Sequence, residues 1–328
     1  MNSPQDPAPL AQDGTSAPRL AAIDLGSNSF HLLVAGYRNH RLQIISRLGE
    51  KVQLAAGLDD SGTLDDASMA RGLRCLEQFA PLLEGVTPRH LRIVGTSALR
   101  EATNSGAFIE LARSRLGHQI EIISGHEEAR LIYLGAAHAL AARDLDDQAL
   151  GSANRRLVTD IGGGSTEVII GEGFAPLALE SLSMGCVTFS RRFFADGEIT
   201  EQRMRRAELA ALSELAAICP AYRELGWQQA IGTSGTLQAA ASVLAKSGDC
   251  REGQITRGGL IELRRRLIEF KHLDRVSLEG LKPDRARVFP AGMAILGAIF
   301  EAFGLEQMDY TDGALREGVL YDLVGLHD

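Results

Sequence analysis

Two stretches of this chain carry residues whose types and spacing suit the handling of phosphate: "DLGSNS", starting at Asp24, and "DIGGGSTE", starting at Asp160. In each, an apolar run ends on an aspartate, steps two residues to a glycine, and passes through small polar residues into a second apolar run. Gly162, Gly163 and Gly164 leave backbone N–H groups unobstructed for an anion, and Ser165 and Thr166 add hydroxyl donors. Ser27, Asn28 and Ser29 occupy the matching tip of the first stretch. Asp160 cannot touch a phosphate directly, because like charges repel; a divalent cation or a water has to stand between them. Glu167 could join Asp160 around such a cation, although strand alternation also allows it to face solvent. The glycines are not a Walker loop, which needs Lys-Ser/Thr next, nor a dinucleotide fingerprint, which needs a helix next. "STEVII" alternates as a strand does, so the glycines form a hairpin tip.

A phosphate site that hydrolyses needs a group to activate water, and "SGHEEARLIYLG" (124–135) supplies two carboxylates. Glu127 and Glu128 point about 100° apart on a helix, so only one can face a cleft. Glu128 shares a stripe with Leu131, Ile132 and Gly135, the face expected to be enclosed, while Glu127 is set to pair with Arg130 as a solvated i,i+3 contact. A desolvated carboxylate near phosphate holds its proton more tightly, which suits a base near neutral pH. Two glutamates in a first helical turn also serve simply as partners of the helix dipole. Arg100, five residues after Gly95 in "GTSALR", is a candidate fork for phosphate, or an ordinary surface arginine.

These residues must be held by a framework, and the sequence repeats one. "IVGTSALREA" follows the first hairpin and "AIGTSGTLQAA" the second; Asp24 to Gly95 spans 71 residues and Asp160 to Gly232 spans 72. Two matched pairs at nearly equal intervals read as two copies of one domain. Each copy reads as three sequential strands followed by alternating helices and strands, which predicts a mixed sheet covered by helices in each half. The expected strands are 20–25, 29–36, 42–48, 91–95 and 119–123, then 157–161, 166–171, 176–182, 229–232 and 306–310. The expected helices include 65–80, 106–116, 186–195, 200–217 and 235–246. A helix over about 126–142 joins the halves, "FPAGMAILGAIF" (289–300) is a buried helix, and 313–324 closes the second domain or leans on the first. The expected division is a disordered tail over 1–18, domain I over 19–135 and domain II over 136–328, with the active site in the cleft between domains.

Composition narrows the function. A net charge of −8 argues against a general nucleic-acid binder. Four scattered cysteines without metal spacing fit a reducing cytosol, and no apolar stretch is long enough to span a bilayer, so a cytoplasmic protein is expected.

Paired D-x-G hairpins in a duplicated domain resemble the actin-like (ribonuclease H-like) superfamily, an α/β class with duplicated domains and mixed sheets. More narrowly, "AAIDLGSNSFHLLV", "GTSALREA", "EIISGHEEARLIYLG", "DIGGGSTEVIIGEG", "SMGCVTF", "GTSGT" and "DGALREGVLYD" resemble the exopolyphosphatase / guanosine pentaphosphate phosphohydrolase family, in its order, over about residues 20–323. The resemblance implies a phosphoric anhydride hydrolase that releases terminal orthophosphate from inorganic polyphosphate, or converts guanosine pentaphosphate to the tetraphosphate, with a link to the stringent response. It implies Glu128 as the catalytic glutamate, Arg100 as a phosphate-binding arginine, and magnesium, or manganese in its place, at Asp160 and Glu167; potassium is a candidate activator and a homodimer the assembly it allows. A nucleotide switch of the same superfamily is the reading from another class. Many members continue after the "DGALREG" helix into a helical, HD-like region. This chain stops at Asp328, so a short member or a truncated form is expected, without contacts that depend on that region.

Overall fold

The computed structural model describes residues 18–38, 41–147 and 155–325. Residues 1–17 lie outside the described residues, and with them nearly all of the tail expected over 1–18. The first half opens with an antiparallel meander of β1 (Arg19–Leu25), β2 (Phe30–Arg38) and β3 (Arg41–Glu50). Helix α1 (Asp66–Phe79) then crosses to β4 (Leu91–Gly95), parallel to β1, and α2 (Ser97–Glu101) and α3 (Ser105–Leu116) lead to β5 (Glu121–Ile122). Strand order is β3-β2-β1-β4-β5. The side chain of Asp65 caps α1 by accepting from the Ser68 N–H at 2.6 Å, and Gly117, in the left-handed region, ends α3.

The second half follows α4 (Gly125–Asp147) and repeats the plan. Strands β6 (Arg155–Ile161), β7 (Thr166–Glu172) and β8 (Ala175–Leu182) form the meander; α5 (Cys186–Phe193), α6 (Glu201–Ala216) and α7 (Cys219–Leu225) precede β9 (Gln229–Thr233). After α8 (Ser234–Ser247) come β10 (Gln254–Thr256), α9 (Arg257–Glu269), α10 (Phe289–Phe303), β11 (Gln307–Tyr310) and α11 (Leu315–Leu323). The order β10-β11-β9-β6-β7-β8 repeats the first sheet and adds β10 at one edge. In both sheets the central strand pairs antiparallel with the next strand and parallel with the fourth.

Each sheet has its own apolar core, and a third core lies between the sheets. That third core joins Leu20, Ala22 and Leu33 of the first sheet to Val158, Ile169 and Ile231 of the second through α4 and α11. The two helices touch backbone to backbone: a methyl group at Gly135 would collide with the Ala314 carbonyl, and one at Gly318 with that of Leu131. Segment 313–324, for which the sequence left two places open, thus lies against α4 and β1.

Candidate active site

A cavity of about 140 Å³ lies where the two hairpins face each other. Besides the hairpin tips it is lined by the first residues of several helices: Cys186 of α5, Ser234 to Thr236 of α8, Leu315 and Arg316 of α11, and Glu128 from the first turn of α4. Helix N-termini present unpaired N–H groups and positive dipole ends, so this convergence favours an anion. Ser234 holds a positive φ of 77°, costly for a residue with a side chain, and its hydroxyl donates to the Ile161 carbonyl at 3.1 Å. That contact ties the start of α8 to the end of β6.

The tips also pack on each other, which explains much of the glycine requirement. A methyl group at Gly163 would lie 2.9 Å from Ser27 Cβ, and one at Gly164 would collide with Ser97 Oγ and approach Ser27 Oγ at 3.0 Å. The space beside these two glycines, read in the sequence as room for an anion, is filled in part by the opposing hairpin. Behind the tip, Gly185 leaves room for the backbone of Gly163 and Gly164. Ser27 is buried, and its Oγ accepts from the Ala98 N–H at 3.2 Å. Asn28 Nδ2 donates to Ser29 Oγ at 3.3 Å.

Carboxylates crowd this enclosed space. Asp24, Glu128 and Asp160 line it against two guanidiniums, Arg285 and Arg316. Burial, reinforced by the neighbouring carboxylates, pushes both Asp24 and Asp160 up to about 7, with Arg316 acting in the opposite direction on each. Burial likewise raises Glu128, and the charge of Arg100 opposes it. Glu167 lies directly across the β6–β7 pair from Asp160 and is buried, so the solvent-facing alternative does not hold. Its carboxyl is pushed well above the usual range by burial and by Glu128 and Asp160, while Ser181 Oγ donates to it at 2.7 Å.

Nine of the residues picked out in the sequence line the cleft: Ser27, Asn28, Ser29, Glu128, Asp160, Gly162, Gly163, Gly164 and Ser165. Three do not. Thr166 is buried and donates its hydroxyl to the Met184 carbonyl at 2.6 Å. Glu167 lies behind the lining. Arg100 lies behind Glu128: its Nη1 donates to Glu128 Oε2 at 2.7 Å and to the Ile123 carbonyl at 3.0 Å. It borders a neighbouring pocket that shares Ser165 with the cleft. Glu127 faces away from the cleft, as its helical position requires, but its contact is more than a solvated pair. Arg130 and Arg92 both bond it, and both also bond Asp322 of α11. The sequence reading did not select Ser234, Gly235, Thr236, Arg285 or Arg316. The repeated Gly-Thr-Ser contains Ser234, and "GTSGT" extends through Gly235 and Thr236; Arg316 lies in "DGALREG", but only the fold brings it and Arg285 to the cleft.

The donor set bears on a metal. Among the described residues, Asp24 Oδ1 is buried without a hydrogen-bond partner, and the cleft holds three carboxylates to two guanidiniums. Hard oxygen donors with an unmet partner suit magnesium. No group of three His, Cys, Asp or Glu side chains among the described residues is arranged to hold an ion unaided. The residues therefore fit an ion that takes one or two carboxylates and completes its shell with phosphate oxygens and water.

Comparison with known proteins identifies a family and a fold. The sequence model described as "Ppx/GppA phosphatase family" matches residues 33–327. A Haemophilus influenzae protein named "Putative exopolyphosphatase" is 44% identical over 93% of this chain and 91% of its own length. Proteins named "Guanosine-5'-triphosphate,3'-diphosphate pyrophosphatase" are similar too: that of Aliivibrio fischeri is 44% identical over 95% of this chain, and that of Vibrio cholerae 46% over 94%. The matched region spans only 61% and 60% of those two proteins. Among solved structures, an exopolyphosphatase from Cytophaga hutchinsonii superposes with a TM-score of 0.82 at 25% identity, over 94% of this chain and 98% of that one. A Ppx/GppA family member from Aquifex aeolicus gives 0.75 at 26%, over 93% and 97%.

Proposed function

The chain belongs to the Ppx/GppA phosphatase family, and we propose on that premise that it hydrolyses phosphoanhydride bonds, releasing the terminal orthophosphate of inorganic polyphosphate. The observation that carries this reading is the enclosed cleft itself: two hairpin tips, converging helix N-termini and two guanidiniums surround a space that also holds a buried glutamate. In this reading the terminal phosphate lies among Ser29, Ser165 and the backbone of the tips. Asp160, with Asp24 opposite, would hold a magnesium ion, and the ion when bound would neutralise phosphate charge. Glu128 orients a water in line with the terminal phosphorus and takes its proton as the new P–O bond forms. The anhydride bond breaks, and the shortened chain leaves with the bridging oxygen. Arg100 fixes the Glu128 carboxylate through Oε2, and burial keeps that carboxylate basic enough to accept the proton. Positioning and electrostatic stabilisation supply most of the catalysis in such a site.

The relatives named for guanosine pentaphosphate support a second substrate reading at the same site, removal of the 5'-terminal phosphate of that nucleotide. Phosphate release from long-chain polyphosphate, guanosine pentaphosphate and ATP, measured side by side with and without magnesium, tests both. Release from polyphosphate is expected, with ATP hydrolysed far more slowly. Release from the pentaphosphate alone would replace the first reading with the second, and ATP as the best substrate would overturn both.

A further inference from the structure

Arg316 is the second residue of α11 and lines the cleft, while its neighbours Leu315 and Glu317 are buried. Successive residues of a helix point about 100° apart, so the direction of the Arg316 side chain depends on how those two are held. Leu315 enters the apolar core between the sheets. Glu317 is a carboxylate in the same turn, and its two oxygens have different partners. Oε2 accepts from the Ala314 N–H at 3.2 Å, which closes the first turn of the helix, and Oε1 accepts from Arg47 Nη2 at 3.1 Å.

Arg47 comes from the other half of the molecule, on the edge strand β3. It stands opposite Leu33, a member of the core between the sheets, so the pairing sends its side chain to the face on which α11 lies. It is not among the residues that line the cleft. A buried ion pair adds little to stability, since apolar residues of similar volume serve as well. Helix α11 is also well packed without it: Val319 and Leu320 are buried, and Gly318 lies against the Leu131 carbonyl. Apolar contacts tolerate a small roll of the first turn about the helix axis. A carboxylate held through both oxygens does not, and that roll is what would swing Arg316.

We propose that Arg47 is a positioning residue for the reaction: through Glu317 it fixes the first turn of α11 and so aims the Arg316 guanidinium into the cleft. Arg47 itself touches no reacting group. The inference rests on the reading that the cleft takes phosphoryl groups, and adds that a side chain outside the cleft, on the edge of the first sheet, governs how well the second half holds them. Its signature is an effect of Arg47 that exists only while Arg316 is present.

The test is a double-variant cycle on Arg47 and Arg316, read in phosphate release from polyphosphate with magnesium present. Arg47→Met should raise KM roughly three- to thirtyfold, with kcat within about twofold of the parent. Arg47→Lys, which keeps a cation on the same carboxylate, should recover most of the loss. On an Arg316→Met background, Arg47→Met should change KM by less than about twofold. Equal effects on the two backgrounds, or no rise in KM with Arg316 intact, would overturn the assignment. The pair Arg47→Met/Glu317→Gln leaves no unpaired carboxylate buried, so it keeps the test open if Arg47→Met alone fails to fold. It should show the same raised KM; a return to the parental KM would mean that the ion pair only cancels a stray charge, and positioning would fall. If the wild-type chain releases no phosphate from polyphosphate, the functional reading fails by itself. Calorimetric titration of the same variants with tripolyphosphate then decides the positioning role, which a non-additive loss of affinity supports and an additive or absent loss removes.

Discussion

The two halves that enclose the cleft share a backbone plan and differ in charge at equivalent places. Asp24 and Asp160 each end a central strand, and seven residues later each hairpin places a side chain directly opposite: His31 in the first half, Glu167 in the second. The same holds after the fifth strand of each plan. Three residues beyond β5 and β11 come Gly125 and Gly313, and three beyond those come Glu128 and Arg316, both lining the cleft. Burial, with Arg316, Arg285 and Arg47 nearby, lowers His31 to about 3, so its imidazole is neutral at physiological pH. One half thus offers a neutral ring and a carboxylate on the helix, the other a second carboxylate and a guanidinium. Duplication built a near-symmetric clamp, and two changes of residue type gave its sides different tasks.

The largest expected effect tests the helix pair. Glu128→Gln should lower phosphate release by about 10³-fold while substrate still binds, whereas Glu127→Gln, remote from the cleft, should leave turnover within about twofold and mainly loosen the contact to Arg92 and Arg130. Release rates and binding titrations of both variants check this, and a dead Glu127→Gln would reverse the assignment.

A second prediction concerns pH. The Asp24 carboxyl is raised from 3.8 to about 7 in the fold. Below pH 4 it is protonated in folded and unfolded chains alike, and its stabilising contribution is complete. Between pH 4 and 7 the unfolded chain ionises first, so that contribution is lost as pH rises and is gone above about 7. Metal-free protein should therefore melt lower at pH 8 than at pH 5, and Asp24→Asn should be more stable than the parent at pH 8 by about 2–4 kcal/mol, with the gain vanishing toward pH 4. Thermal melts across that range decide; a gain independent of pH would mean that the carboxyl is ionised throughout.

The hairpin comparison sharpens further with magnesium. Asp160→Asn should raise the magnesium concentration for half activity about tenfold, since an amide is a weaker ligand for a hard cation. Asp24→Asn should raise it less, because the residue opposite it is the His31 ring, whereas a second carboxyl, Glu167, stands opposite Asp160. Equal shifts in the two titrations would make the halves equivalent metal holders.

The smallest effect concerns the tips. Gly163→Ala should cost about 1–3 kcal/mol through overpacking on Ser27, and Ser27→Gly in the same chain should recover most of it. Denaturant unfolding of the two singles and the double gives the coupling. Additive losses would show that the tips do not meet.

Much of this was legible in the sequence because it is written locally. The strand–Asp–Gly–strand pattern, its repetition near residues 24 and 160, and the stripe that turns Glu128 inward depend on spacing along one or two elements, and the structure shows each. Helix α9 was equally open to reading, with Leu260, Leu263 and Leu267 buried at helical spacing, but was not picked out; β10, three residues long, carries too little pattern. Other features needed partners remote in the chain. Thr166 turns to a carbonyl 18 residues on, and Arg100 meets a carboxylate 28 residues away. Arg285 and Arg316 reach a cleft whose other wall starts at Asp24. By itself the sequence determined that two matched strand–Asp–Gly–strand hairpins exist and which glutamate faces inward, since periodicity fixes the direction of a side chain on its own element. Only the tertiary structure decided which groups those side chains meet, how far burial shifts their protons, and that the glycines make room for the opposite hairpin. Contact, desolvation and charge coupling are properties of elements brought together, and no single element carries them.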